Sequence, residues 1–155
     1  MRRICVLSGK EEGALCSALE DDFEVRGLIP LCGTPLSHSD LVIVTESAAT
    51  HSIGAESALQ RLLVSAVCLG VPVVFLVQRG SVPVELLRYG QWLLCVDGVC
   101  GIGESEETLC RRYGLRGVRI FGDGTPPALI YRALKERCRK ILISEDKQNV
   151  KTNRA

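Results

Sequence analysis

Two glutamates, Glu46 and Glu56, bracket the stretch TESAATHSIGAE, where hydroxyls, small side chains and one glycine lie between an apolar run and a long helical pattern. Paired carboxylates with separated pKa values can divide acid and base work. Backbone amides around Ser47, Ser52, Gly54 and Ala55 can approach an anion closely where a helix begins. Together these capacities suit a site for an anionic small molecule, with a carboxylate for acid–base work and donors to hold the anion. Glu56 is the first candidate for the carboxylate, and Glu46, at the end of the preceding apolar run, is the second. Glu56 also suits a simpler role, complementing the positive end of the helix it opens.

Three further loops share this small, polar character: SGK at 8–10, QRGSVP at 78–83 and GDGTPP at 122–127. They add Ser8, Gly9, Lys10, Arg79, Gly80, Asp123, Gly124 and Thr125 to the candidate binding residues. Lys10 and Arg79 are the basic residues within these loops, and the guanidinium is the better suited of the two to bidentate phosphate contact. Asp123 can bind ribose hydroxyls or start a turn with Gly124. Any α/β domain uses Gly and Ser in tight strand-to-helix turns, so each loop alone also has a purely structural explanation. Tyr89 and Trp92 flank Gly90 and suit either base stacking or core packing.

The elements that must position these loops alternate strand and helix. RRICVLS, FEVRGLI, DLVIVT, VPVVFLV, QWLLCVDG and GVRIF have strand character. EEGALCSALEDD, GAESALQRLLVSAVCLG, VPVELLRYG, SEETLCRRYG and PPALIYRALKERCRKILIS have helical spacing, the last starting at Pro126 or Pro127. DLVIVT and VPVVFLV are apolar at successive positions, as a strand covered on both faces requires. The expected fold is α/β, a three-layer Rossmann-like sandwich with a mainly parallel sheet of about six strands. Ligands are then expected at the carboxyl ends of the strands near the topological switch point. Residues 1–144 are expected to form one domain, and the polar segment 145–155 a disordered tail.

Composition narrows the classes. The 155 residues, 46% hydrophobic and 24% charged, suffice for one core. A net charge of +1 makes nucleic acid an unlikely partner and does not point to an anionic membrane. The longest apolar segment, Leu62 to Val77, is broken by Ser65, Gly70 and Pro72 and falls short of the roughly 20 residues of a membrane span. The apolar stretch after Arg2 and Arg3 is too short for an export signal, and a cytoplasmic protein is expected. Eight cysteines without a CxxC pair are expected to be mostly reduced core residues, Cys5, Cys68 and Cys138 among them. Cys95 and Cys100 could bridge, but their spacing does not match a zinc site. No metal or cofactor is called for. The order of apolar helices hints at a homodimer face. SGK lacks the upstream glycine of a P-loop, no GxGxxG follows the first strand, and neither His38 nor His51 sits by a nucleophile elbow.

MRRICVLSGK and TESAATHSIGAESALQRLLVSAVCLGVPVVFLV resemble the lysine-decarboxylase-like, or LOG-type, phosphoribohydrolases. In that family a strand leads into a glycine-rich phosphate-binding turn, GGxGTxxE, then a helix and a lysine-proline-valine strand. Glu46, SIGAESA and LLRYGQWLL are similar to the DNA-processing protein A family, with its SGxLxTA and LIRxGA motifs. Both belong to the SLOG superfamily of Rossmann-like nucleotide-ligand binders, and the likeness covers roughly residues 1–100. Aligning Gly54 with the last motif glycine puts the family's catalytic carboxylate at Ala58, two residues beyond Glu56. The resemblance implies a nucleotide-like anionic ligand. Alternatives are a phosphoribohydrolase or deoxyribosyltransferase-like enzyme using Glu56, and a DNA-processing accessory that binds single strands.

Overall fold

The computed structural model describes residues 1–28, 38–50, 55–98 and 103–154. Each strand run becomes one strand of a single sheet: β1 (Arg3–Leu7), β2 (Glu24–Leu28), β3 (Leu41–Thr45), β4 (Val73–Val77), β5 (Trp92–Val96) and β6 (Gly117–Phe121). All five pairings are parallel, in the order β2-β1-β3-β4-β5-β6. Parallel neighbours cannot be joined by tight hairpins, so the connections cross over and helices cover the faces.

The covering helices are α1 (Gly13–Glu20), α2 (Glu46–Thr50), α3 (Ala55–Leu69), α4 (Val84–Leu87), α5 (Glu106–Tyr113) and α6 (Pro127–Arg154). On one face Leu15 and Leu19 of α1 and Ile130, Leu134, Cys138 and Ile141 of α6 pack over Ile4, Val6, Ile43, Val74 and Leu76. On the other, Ala48, Leu59, Leu63, Leu86, Leu87 and Leu109 pack over Leu7, Val42, Val44, Phe75 and Val77. Every residue of β3 and β4 is buried, which explains their unbroken apolar runs. The α/β three-layer Rossmann-like expectation holds in full.

Local chemistry sets the boundaries. Ser105 caps α5 by accepting from the Thr108 N–H, and Gly114, at φ +69°, ends it in the left-handed conformation that glycine adopts at no steric cost. Pro127 opens α6, where its missing N–H is harmless. At the exposed edge of the sheet, the Glu106 carboxylate accepts from the Ile120 N–H, occupying a ladder donor that β6 would otherwise present to solvent.

Three local features depart from expectation. Residues 46–50, read as loop, form α2, with Glu46 in its first turn and Ala48 buried. The polar segment 145–154 continues α6 helically to Arg154; it contains no glycine or proline to stop it. Cys68 is exposed rather than core, because the inward face of α3 is Leu59, Leu63 and Ala66 and Cys68 falls off that stripe. Cys5 and Cys138 are buried as expected, and burial pushes their thiols up to about 11 and about 12, leaving them protonated and unreactive. Cys95 is buried on β5, and Cys100 lies outside the described residues. Among the described residues no helix is long and apolar enough to cross a membrane, and no group of three His, Cys, Asp or Glu side chains could hold a metal ion.

Gly90 is a point where the fold tolerates no side chain. It is buried after α4, and a Cβ there would sit 2.5 Å from Cδ2 of fully buried Phe75. Gly90→Ala is therefore expected to displace Phe75 and destabilise the domain by about 1–3 kcal/mol. Denaturant unfolding of the variant against wild type measures this; an unchanged midpoint would show that the core yields freely.

Candidate functional site

The strand order reverses between β1 and β3: the chain leaves β1 toward β2 on one side and returns with β3 on the other. Crossover connections therefore diverge at this point, and a crevice opens at the carboxyl ends of β1 and β3. Ser8, Gly9 and Lys10 follow β1, and Glu46 and Ser47 follow β3, so two of the candidate loops meet here. Gln78 and Arg79, directly after β4, join them. The polar part of the cleft, about 120 Å3, is lined by Lys10, Glu12, Thr45, Glu46, Gln78 and Arg79, with Tyr131 of α6 on its wall.

A hydrogen-bond chain sets its shape. Ser47 Oγ accepts from the Gly9 N–H at 3.0 Å, tying the turn after β1 to the end of β3. The same oxygen lies 3.0 Å from Thr45 Oγ1, and it donates to Glu12 Oε1 at 3.4 Å. Buried Thr45 donates to the Leu7 carbonyl, and Ser8 Oγ closes the turn on the Lys10 carbonyl at 2.7 Å. Glu46 bridges to the next loop, one oxygen accepting from the Gln78 N–H at 3.2 Å and the other from the Arg79 N–H at 3.1 Å. A Cβ on Gly80 would lie 3.1 Å from Glu46 Cγ, so glycine there lets the loop close over that carboxylate. Glu46, considered as a catalyst from sequence, thus has a clear architectural task.

The charges are arranged unevenly. Burial pushes the Glu12 carboxyl above its ordinary value of 4.5 and Glu46 adds to the rise, while Lys10, the Ser47 hydroxyl and Arg79 pull it back. Among the described residues, neither Lys10 nor Arg79 is engaged in an ion pair. Tyr131 Oη donates to Gln78 Oε1 at 3.5 Å, and the buried Gln78 Nε2 has no partner among the described residues. An orphaned buried donor is costly and uncommon, so one on a cleft wall marks a place where an acceptor fits.

Other candidates lie apart. Asp123, Gly124 and Thr125 form a turn after β6, with the Thr125 N–H and hydroxyl both donating to the Gly122 carbonyl and Gly124 at φ +83°; none lines the cleft. Ser52 and Gly54 lie outside the described residues, and Ala55 and Glu56 open α3 with side chains outside them. Trp92 opens β5 at the amino ends of the strands, opposite the cleft, and stacks with Arg116, while the Tyr89 hydroxyl accepts from Gln60. Glu12 and Tyr131 escaped the sequence reading, and Thr45 and Gln78 lay within its candidate loops without being singled out. The signal for Thr45 and Gln78 was position, at or just beyond the carboxyl end of a strand in a sheet buried on both faces, and for Glu12 it was its place at the start of α1, on the loop that follows β1.

The result is a parallel α/β protein with a mixed-charge cleft at its switch point. The chain matches no family model, no curated protein and no solved structure.

Glu46→Ala is expected to free the Gln78 and Arg79 amides, lower stability by about 1–3 kcal/mol and accelerate hydrogen exchange at those two positions. Exchange rates unchanged at both amides would show that Glu46 does not hold the loop.

Proposed function

We propose that the cleft at the carboxyl ends of β1, β3 and β4 binds a nucleotide-like anionic ligand. The observation that supports this best is the convergence of Lys10 and Arg79, unpaired among the described residues, on a polar cavity that also presents the orphaned Gln78 amide. Lys10 serves as a mobile point charge and Arg79 as a planar fork for phosphate oxygens. The SLOG-type likeness in the first two-thirds of the chain is consistent with such a ligand. On this reading, titration with nucleoside monophosphates gives saturable binding, and Lys10→Ala and Arg79→Ala each weaken it ~10-fold or more. Binding that neither substitution alters would place the ligand elsewhere.

The protonation of Glu12 gives the site a pH dependence. Its raised carboxyl pKa means the folded protein retains a proton that the unfolded chain has lost, so its stability contribution is complete below the unfolded value and disappears as pH rises through the folded one. Ionised Glu12 also adds a negative charge beside the anion. Affinity is therefore expected to fall as pH rises through the folded value, and Glu12→Gln to flatten that fall, the phosphate's own ionisation being common to both proteins. Parallel slopes for the two proteins would remove Glu12 from the site.

A second reading is turnover at the N-glycosidic bond, by a phosphoribohydrolase or deoxyribosyltransferase-like reaction. It is favoured by one observation: two carboxylates, Glu12 and Glu46, line the same cleft, and one of them is displaced toward its protonated form. Protonated Glu12 would pass its proton to the leaving base as the N-glycosidic bond breaks, and the resulting carboxylate would take the proton of the water or acceptor hydroxyl that adds to the anomeric carbon. Release of free base from nucleoside monophosphates, lost in Glu12→Gln, supports it; binding without release leaves the protein a binder.

A further inference from the structure

The polar cavity is too small to enclose a nucleotide. At about 120 Å3 it holds a few water-sized groups, given that one water occupies roughly 30 Å3 of liquid. Tyr131, however, also lines a second and larger opening of about 600 Å3 between α1 and α6. Its α1 wall is Ala14, Ser17 and Ala18, and Pro127 and Ala128 begin the α6 wall. Positions 14, 17 and 18, like 127, 128 and 131, recur at helical spacing and so share one helix face each. Small side chains on α1 and at the start of α6 leave the groove open there, Arg132 and Lys135 line its α6 side further along, and Leu15 and Leu19 turn inward to the sheet. Lys135 reaches from α6 to Asp22 at 3.5 Å and Asp21 at 3.8 Å, closing the far end of the groove with ion pairs. Tyr131, between Ala128 and Lys135 on α6, is the residue whose side chain borders both this groove and the polar cavity.

We propose that the α1–α6 groove is the base subsite of this cleft: a nucleoside monophosphate lies with its phosphate between Lys10 and Arg79 and its base in the groove against Tyr131. The inference rests on the anion-binding role of the cleft and adds the orientation and the recognition of the base. Two observations carry it together. The cavity that presents cations and the orphaned amide has room only for the anionic end, and Tyr131 on its wall also lines the larger groove, whose Ala14, Ala18, Pro127 and Ala128 offer a mostly apolar bed for a flat ring beside the Arg132 and Lys135 side chains. Tyr131 then works on both sides, its ring facing the base and its hydroxyl orienting Gln78 so that Nε2 is directed to an acceptor on the ligand. The apolar contact is sequence-tolerant, because every base has a π-face. The ligand class is a nucleoside monophosphate in preference to a bare sugar phosphate.

The test compares adenosine 5′-monophosphate with ribose 5-phosphate, which carries the same anion without a base. Wild type is expected to bind the nucleotide ~10-fold or more tighter than the sugar phosphate. Ala128→Trp, at an exposed position that fills the groove without entering the core, is expected to erase that difference while leaving ribose 5-phosphate affinity unchanged. Ser17→Trp fills the same groove from α1, so one well-folded variant by circular dichroism is enough. Equal affinity of the two ligands in wild type, or a preference for the nucleotide that survives groove filling, overturns the base subsite while the anion site stands. Failure of both ligands to bind wild type overturns the anion site and the subsite with it.

Discussion

A parallel sheet buried on both faces constrains everything else in this protein. Each central strand must be apolar at every position, each connection must cross over, and the polar groups that remain near the sheet are confined to its ends. Leu41–Thr45 and Val73–Val77 meet the first demand completely, every residue being buried. Thr45 shows the limit of the rule: buried at the last position of β3, it keeps its hydroxyl satisfied on the Leu7 carbonyl. One residue later the chain turns polar, and there the cleft begins.

The cleft is built by cross-strand bonds rather than by one loop. Ser47 receives the Gly9 amide and Glu46 receives two amides from the loop after β4, so the ends of β1, β3 and β4 are held in mutual register by two adjacent side chains. Glu46 therefore has value before any chemistry is considered, and the catalytic reading shifts weight to Glu12. That side chain is half-buried, contacts the Ser47 hydroxyl and lies near the charges of Lys10 and Arg79, an arrangement in which its protonation would be coupled to occupancy of the proposed anion site.

Much of the fold was legible because burial on both faces writes itself into consecutive residues. Val73–Val77 or Leu41–Thr45 could hardly be anything but covered strands, and Ile130, Leu134, Cys138 and Ile141 mark the inner face of α6 by spacing alone. The strand order was not legible, since nothing local in Leu41–Thr45 states which side of β1 it joins. The site divides along the same line. Lys10, Glu46, Ser47 and Arg79 were identifiable from loop chemistry and do converge. Asp123 to Thr125 had equally suggestive chemistry and instead close a turn of their own after β6. Gln78 and Tyr131 are far apart in the chain and ordinary in context; only the packing of α6 against the sheet end makes them partners. Cys68 failed for a related reason, because an apolar neighbourhood in sequence does not specify which side of α3 faces the core.

The central claim, that anionic ligands are received at the switch point, is tested most directly by following backbone amide resonances during titration with a nucleoside monophosphate. The account predicts saturable shifts concentrated at Gly9, Lys10, Gln78 and Arg79, with the turn at Gly122–Thr125 unmoved. Shifts absent from those four amides, or largest at the turn after β6, would contradict it.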